Sequence, residues 1–267
     1  MTMRSFGRWR QWIFDALFMS LLALAPLTTG YIFYRQNFLD FGFEPDGGVR
    51  GVLFATQLLA VATVIAGVVA RRRPGPLGRP VRSAVRLSFL LTVVVGLSAY
   101  LSSFPDSFVQ ATWLLLGCLL AWSVSVSFRR PMRAAAAALS VGGVMQFVLA
   151  LSQFSLQRVV ANKWLGVAEH LPEISGSSVV ETLGGRWLRA YGTLPHPNML
   201  GAYLAIAALA SLFLLVSTND RRWRLLAGLG AAVNILGMGL TFSRSALIGF
   251  LVGLVVLVVG QSVVGGR

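Results

Sequence analysis

Residues 225–262 form an apolar stretch that is too long to be a single membrane-spanning helix. At 1.5 Å per residue, one helix of this length would reach roughly 57 Å, whereas the apolar core of a bilayer is about 30 Å thick. Its longest polar interruption is Ser243, Arg244 and Ser245. We therefore expect the chain to turn back near Arg244 and to cross a membrane twice within this stretch.

Apolar runs of about 20 residues, the length that spans a bilayer, recur along the whole chain. They predict eight transmembrane helices, approximately at residues 12–34, 51–70, 86–104, 108–128, 134–155, 197–217, 225–242 and 246–262. The composition agrees, because only 12% of the 267 residues are charged, against roughly a quarter in a soluble domain. The sequence thus predicts an all-α polytopic integral membrane protein. It would be a single membrane domain over residues 1–267 with one external loop at 156–196.

The formal net charge of +14 would suit a protein that binds nucleic acid, but the positions of the charges indicate a different partner. Of the 23 basic residues, 16 fall on one side of the predicted spans. Because cytoplasmic loops are rich in Lys and Arg, this side is predicted to be the cytoplasm and to hold both termini. The partners are then anionic membrane lipids and not nucleic acid. The 16 residues are Arg4, Arg8, Arg10, Arg71, Arg72, Arg73, Arg79, Arg82, Arg86, Arg129, Arg130, Arg133, Arg221, Arg222, Arg224 and Arg267.

The first part of the external loop has apolar residues at helical spacing. This pattern predicts an interfacial amphipathic helix on the outer leaflet, with Trp164 at the depth of the lipid headgroups. The apolar positions are Leu156, Val159, Val160, Trp164, Val167 and Leu171.

The second part of the loop has the residue types of an anion site. Arg186 and Arg189 are close in the sequence to Trp187 and Tyr191. Guanidinium groups bind anions through paired hydrogen bonds, and aromatic rings settle at the membrane interface. We expect Arg186 and Arg189 to bind an anionic group near the outer membrane surface, with Tyr191 in a supporting role.

Residues at the start of the sixth and eighth spans extend this site. His196 stands between two prolines, which hold its backbone extended, and Asn198 is the predicted N-cap of the sixth span. Arg244, next to Ser243, reaches the same face of the membrane. We expect Arg244 to bind the anion together with Arg189, while Asn198 and Ser243 support the site. We expect His196 to lie close to the same anion.

Several of these residues also have a purely structural interpretation. Arg244 could snorkel to the lipid headgroups, Arg186 could be a solvated loop residue, and His196 could only cap the sixth span. His170 is interpreted as an exposed loop residue. Asn234, within the seventh span, is interpreted as an interhelical hydrogen-bonding residue and not as a substrate contact.

Two sequence motifs resemble those of the O-antigen ligase and O-antigen polymerase superfamily. The first is the run Arg189-Ala-Tyr-Gly-Thr-Leu-Pro-His-Pro-Asn198, followed by Leu200-Gly201 and Tyr203-Leu204. The second is Leu240-Thr-Phe-Ser-Arg244-Ser-Ala246, a Ser-Arg followed by a small residue at the start of a span. The two motifs occur in the order and at about the separation found in that family.

The resemblance implies an inverting glycosyltransferase of the bacterial cytoplasmic membrane that needs no metal and no cofactor. The donor would be a glycan on undecaprenyl diphosphate, and the acceptor a sugar hydroxyl on lipid A core or on another saccharide. Arginines suit such chemistry, because the leaving diphosphate needs its charge stabilised. By resemblance, Arg189 and Arg244 match family arginines. The implied transfer also needs a base to deprotonate the acceptor hydroxyl, and His196 is the candidate catalytic base because the ordinary pKa of histidine is near neutral.

The chain also departs from the family pattern. Family members usually have about a dozen spans, and their catalytic histidine lies in a second external loop, to which His196 does not correspond. We therefore expect the 267 residues to be the amino-terminal part of an enzyme or a protein completed by another chain. The alternatives are a transporter or flippase of a lipid-linked saccharide, and a non-catalytic subunit or remnant.

Overall fold

The structure is a computed structural model that describes residues 3–27, 30–34, 50–70, 79–101, 106–127 and 131–265. These residues form eight α-helices and two antiparallel sheets of two strands each. The fold is therefore mostly helical, as predicted, but it is not purely α. The helices are α1 (Met3–Leu24), α2 (Ala55–Ala70), α3 (Arg79–Leu101), α4 (Asp106–Ser127), α5 (Pro131–Leu156), α6 (Pro197–Ser217), α7 (Arg221–Leu240) and α8 (Arg244–Gly265). The strands are β1 (Gly30–Tyr34), β2 (Arg50–Phe54), β3 (Val179–Thr182) and β4 (Gly185–Leu188).

Four helical segments among the described residues are long and apolar enough to cross a membrane. They are Met132–Leu156, Pro197–Ser217, Arg221–Leu240 and Arg244–Ser262. Three further apolar helical segments are shorter, namely Ala55–Ala70, Val85–Leu101 and Ala111–Ser125. These helices support a membrane protein, and the count of eight spans stays a prediction.

Two predicted span ends are wrong, the C-terminal end of the first span (12–34) and the N-terminal end of the second (51–70). The span at 12–34 ends early, because α1 stops at Leu24 shortly before Pro26, which has no amide hydrogen to donate. Residues 30–34 pair instead with residues 50–54, in a register that places Gly30 opposite Phe54. Apolar periodicity does not distinguish a short strand from a helix segment, so the predicted spans included residues of both strands.

The chain divides into two compact units, Met1–Leu21 with Gly30–Pro131 and Leu22–Thr29 with Met132–Arg267. In the first unit, a Cβ added at Gly67 of α2 would lie 2.8 Å from the Cβ of Ser123 in α4. The absence of a side chain at Gly67 therefore permits close packing at this point. Cys118 of α4 is buried, with its Sγ 3.2 Å from the Oγ1 of Thr92 in α3.

The second unit is built around the packing of α6 against α7 and α8. Its core consists mainly of small and branched apolar side chains, and the backbones approach closely where glycine occurs. A Cβ added at Gly201 would lie 2.8 Å from Thr241 Oγ1 and 2.9 Å from Ala246 Cβ. Close approach at small residues is typical of helix packing in membranes. The core cluster is Ala150, Ala190, Leu200, Leu204, Ala205, Ala208, Met238, Ala246 and Phe250.

A buried polar cluster joins three helices of this unit. Asn234 of α7 is fully buried, and its Nδ2 donates to Ser211 Oγ of α6 at 3.3 Å. Ser211 Oγ in turn donates to Ser140 Oγ of α5 at 2.8 Å. The interpretation of Asn234 as an interhelical hydrogen-bonding residue is confirmed.

The segment after α5 does not form the predicted amphipathic helix. Gln157 adopts a left-handed conformation with φ of 50°, which ends the helix at Leu156. The chain then folds back on itself, with Val159 paired to His170 and Asn162 paired to Val167. The helical spacing misled the prediction because Val159 packs with Leu188 and Tyr191 in a small core of the loop itself.

Candidate functional site

Two glutamines of α5 hold the loop that carries the first motif. Gln153 Oε1 accepts hydrogen bonds from the amides of Tyr191 (3.0 Å) and Gly192 (2.8 Å), and its Nε2 donates to the Gly192 carbonyl (2.8 Å). Gln146, two helical turns earlier, accepts from Thr193 N and donates to Thr193 Oγ1. Both glutamines are buried. They give the backbone at 191–193 the partners that a regular secondary structure would provide.

Arg189 is held between the start of α6 and the turn that joins α7 to α8. Its Nε donates to the Thr241 carbonyl at 2.7 Å, and an Nη2 hydrogen donates to Asn198 Oδ1 at 2.6 Å. The backbone follows the same path, because Ala190 N donates to the Leu240 carbonyl at 3.2 Å. The two sequence motifs, which are about 50 residues apart, are therefore in direct contact.

The guanidinium of Arg189 retains capacity for a ligand. A guanidinium has about five N–H donors, and the bonds to Thr241 and Asn198 use two of them. Partial burial lowers the pKa of Arg189, while nearby Tyr191 acts in the opposite direction. The group remains a cation, because arginine keeps its proton in proteins.

Arg244 is the first residue of α8 and is exposed. The preceding Ser243 is buried and caps the helix, since its Oγ accepts from the Ala246 amide at 3.3 Å. Phe242 has φ of 48°, which closes the tight turn that the sequence predicts near Arg244. The Arg244 side chain makes no hydrogen bond to another of the described residues, so its full charge faces the surroundings.

His196 caps α6, and this corrects the assignment of the cap to Asn198. The Nδ1 of His196 accepts a hydrogen bond from Asn198 N at 3.1 Å, and Pro197 is the first residue of the helix. Because Nδ1 accepts, the neutral ring carries its proton on Nε2, which lies 3.3 Å from Ser178 Oγ. The ring lone pair is thus occupied by the cap. A role as catalytic base stays a prediction, and the geometry favours the capping role.

Tyr191 is a core residue of the loop, so its ring is not exposed as an interfacial aromatic side chain would be. It is fully buried, and its hydroxyl accepts from the Ser178 amide at 2.6 Å. Its ring stacks on His170, with centroids 4.1 Å apart. His170 is therefore partly buried, contrary to its interpretation as an exposed residue, and this burial lowers the pKa of His170. Tyr191 supports the site by fixing the loop.

Arg186 lies in the β3–β4 hairpin and does not take part in the hydrogen bonds that hold Arg189. It lies in β4 opposite Glu181 of β3, and it is exposed. Within the described residues it shares no hydrogen-bond partner with Arg189. Its neighbour Trp187 packs on Phe154, with ring centroids 5.8 Å apart. The grouping of Arg186 with Arg189 in one anion site stays a prediction.

Sequence reasoning missed the glutamines of α5. Gln146 and Gln153 lie seven residues apart, which places them along one face of the otherwise apolar α5, and Gln157 follows four residues later, just past the end of the helix. Gln157 Oε1 accepts from Leu188 N at 2.6 Å and thereby fixes the end of β4. This spacing was the available signal, because a primary amide is costly in a membrane unless it has a partner.

The arrangement as a whole offers cationic donors at one end of the α6–α8 group. Arg189, Arg244 and the positive ends of the α6 and α8 dipoles lie around the contact between the motifs. Such a cluster can bind an anion with two or more charges.

Comparisons of the chain with protein-family models, with curated proteins and with solved structures find no match.

Proposed function

We propose that the chain binds a polyprenyl diphosphate through Arg189 and Arg244 and acts in glycan transfer from undecaprenyl diphosphate to a sugar hydroxyl. The reaction is of the O-antigen ligase or polymerase type, at the outer face of the bacterial cytoplasmic membrane. The chain crosses that membrane eight times and has both termini in the cytoplasm.

The contact between the two motifs carries this proposal. Arg189 bonds to the Thr241 carbonyl at 2.7 Å, which brings it to the turn immediately before Arg244. A diphosphate carries several negative oxygens, and two arginines match them better than a single cation would. Arg189 is preorganised by its bonds, so little side-chain entropy is lost when an anion binds.

The roles of the other site residues follow from their contacts. His196 and Asn198 position the start of α6, Ser243 positions the start of α8, and Tyr191 fixes the loop. Arg186 contributes general positive charge. The base that receives the acceptor proton is not assigned to His196, because its lone pair holds the α6 cap.

The helices give no support to the flippase alternative. Transporters commonly have discontinuous helices with polar groups near the midplane. Helices α5 to α8 are each continuous. Of their buried polar side chains, Asn234 (through Nδ2), Ser211 and Ser140 bond to one another, and Gln146 and Gln153 bond to the loop at residues 191–193. A non-catalytic subunit or remnant would bind the diphosphate without transferring a glycan, so an assay of transfer distinguishes it from the enzyme.

The proposal is tested by the affinity of the purified full chain in nanodiscs for undecaprenyl diphosphate, measured by native mass spectrometry. Arg244→Ala removes a cation whose side chain forms no hydrogen bond to another of the described residues. We expect about 10- to 100-fold weaker binding, since a hydrogen bond to a charged group contributes about 1.5–3 kcal/mol. Arg158→Ala is the matched control, because Arg158 is exposed and pairs with Glu169 at 2.8 Å.

Equal affinity in the parent chain and Arg244→Ala would refute the assignment of the anion site. Transfer is measured separately, with a labelled glycan on undecaprenyl diphosphate and membranes that contain the chain. Tight binding together with no transfer would reject the enzyme and support the subunit or remnant.

A further inference from the structure

A cavity of about 720 Å³ lies where α6 ends and α7 begins. Its lining combines two arginines and an amide with apolar side chains. The lining residues are Leu215, Asn219, Arg221, Arg224, Leu225, Gly228 and Leu229. The cavity is separate from the anion site of the external loop.

The cavity and the anion site lie at opposite ends of the same helix. Asn198, which bonds to Arg189, is in the first turn of α6, whereas the cavity follows from Leu215 near its last turn. Between them, α6 has 21 residues, a length of roughly 31 Å. This length matches the apolar core of a bilayer, so the cavity lies at the level of the opposite leaflet.

The positive charge of the cavity is not neutralised within the described part of the chain. Arg221 and Arg224 are exposed and form no ion pair there. The nearest acid in sequence is Asp220, whose Oδ1 accepts from the amides of Arg222 and Trp223. That carboxylate is committed to capping α7. The two guanidinium groups are therefore available to an anion.

The rest of the lining is mostly apolar and continues along an exposed side of α7. Leu225 and Leu229 are four residues apart, so they lie on one face of the helix, and both are exposed. Gly228 leaves room between the helices, because a Cβ there would meet only Leu215 Cδ1, at 3.8 Å. A small inorganic anion would use the arginines but leave this apolar wall without a partner.

We propose that the cavity binds an anionic phospholipid, with the phosphate at Arg221 and Arg224 and an acyl chain along Leu225 and Leu229. The lipid joins the end of α6 to the start of α7 on the leaflet opposite the anion site. This inference does not depend on glycan transfer, since it uses none of the residues of the external loop.

The test is the retention of phosphatidylglycerol by the purified full chain, measured by native mass spectrometry, with phosphatidylcholine as the zwitterionic comparison. Arg224→Gln removes a cation of the cavity, and Arg222→Gln removes an equal charge from a neighbour that does not line it. We expect about fivefold weaker phosphatidylglycerol binding for Arg224→Gln and less than a twofold change for Arg222→Gln.

Gly228→Leu fills the cavity without changing the charge. We expect it also to reduce phosphatidylglycerol binding at least fivefold while the chain stays folded, because the space beside Gly228 is open. Equal losses in Arg222→Gln and Arg224→Gln would overturn the proposal in favour of diffuse surface charge. Unchanged binding in Gly228→Leu would also overturn it. Displacement of the lipid by millimolar inorganic phosphate would assign the cavity to a free anion and reject the lipid.

Discussion

Replacement of Gln153 by leucine should free the loop that carries Arg189 from α5. The side chains are similar in size, so the change removes hydrogen bonds and creates little empty space. In the parent chain the Gln153 amide satisfies three buried backbone groups, the amides of Tyr191 and Gly192 and the Gly192 carbonyl. Leucine would leave all three without this partner.

The cost in free energy follows from the number of backbone groups that lose their hydrogen-bond partner. Each buried group left unsatisfied costs about 1–3 kcal/mol. Even the lower figure gives about 3 kcal/mol for three groups, which corresponds to a population of the open loop about 10²-fold higher. Arg189 depends on this loop, so binding at the anion site should weaken as well.

Hydrogen exchange measured by mass spectrometry on a peptide covering residues 188–196 reports the opening directly. We expect the amides of Tyr191 and Gly192 to exchange about 10²-fold faster in Gln153→Leu. Ser152→Ala is the control, because Ser152 is exposed on the same helix turn and bonds only within α5. If exchange in Gln153→Leu matched that of the parent chain, the hydrogen bonds would not be what holds the loop.

Two further changes test the packing and the electrostatics of the second unit. Gly201→Ala should destabilise the chain by about 1–3 kcal/mol, because the new Cβ would meet Thr241 Oγ1 at 2.8 Å and that hydroxyl is already bonded to the Met238 carbonyl. Gly249→Ala meets nothing within 4 Å and should be neutral in the same thermal unfolding assay in nanodiscs; similar losses for both would contradict the close-contact argument. Burial lowers the pKa of His170 from its ordinary value of 6.5, so the unfolded chain binds more protons than the folded one below that pH. The midpoint temperature should therefore fall between pH 7.5 and pH 5.5 more in the parent chain than in His170→Phe, which keeps the stacking on Tyr191; equal falls would rule out a contribution from His170.

The long apolar helices of the second unit could be predicted from the sequence because they follow from length and hydropathy. The sixth span was predicted at 197–217, which are the bounds of α6. The turn near Arg244 follows from the excess length of the apolar stretch, and α7 and α8 do meet there. Such features are local, since a run of about 20 apolar residues favours a long apolar helix whatever the rest of the chain does.

The first unit shows where this argument fails. Residues 30–34 and 50–54 continue apolar runs, and nothing in either run alone indicates that the two pair as strands. The pairing joins segments that are distant in the sequence, so it is a tertiary property. Hydropathy measures only how apolar a segment is, and a strand and a helix can be equally apolar.

The residue types of the candidate site could be read from the sequence, but their roles depended on tertiary contacts. The motifs identified Arg189 and Arg244, yet only the folded chain brings Arg189 to the carbonyl of Thr241. The burial of Tyr191 and the capping by His196 depend on what Ser178 and His170 contact across the loop. Hydropathy summed over neighbouring residues determined which segments form the long apolar helices. The geometry of the loop was decided by individual hydrogen bonds of Gln146 and Gln153, whose partners lie 38 to 47 residues away.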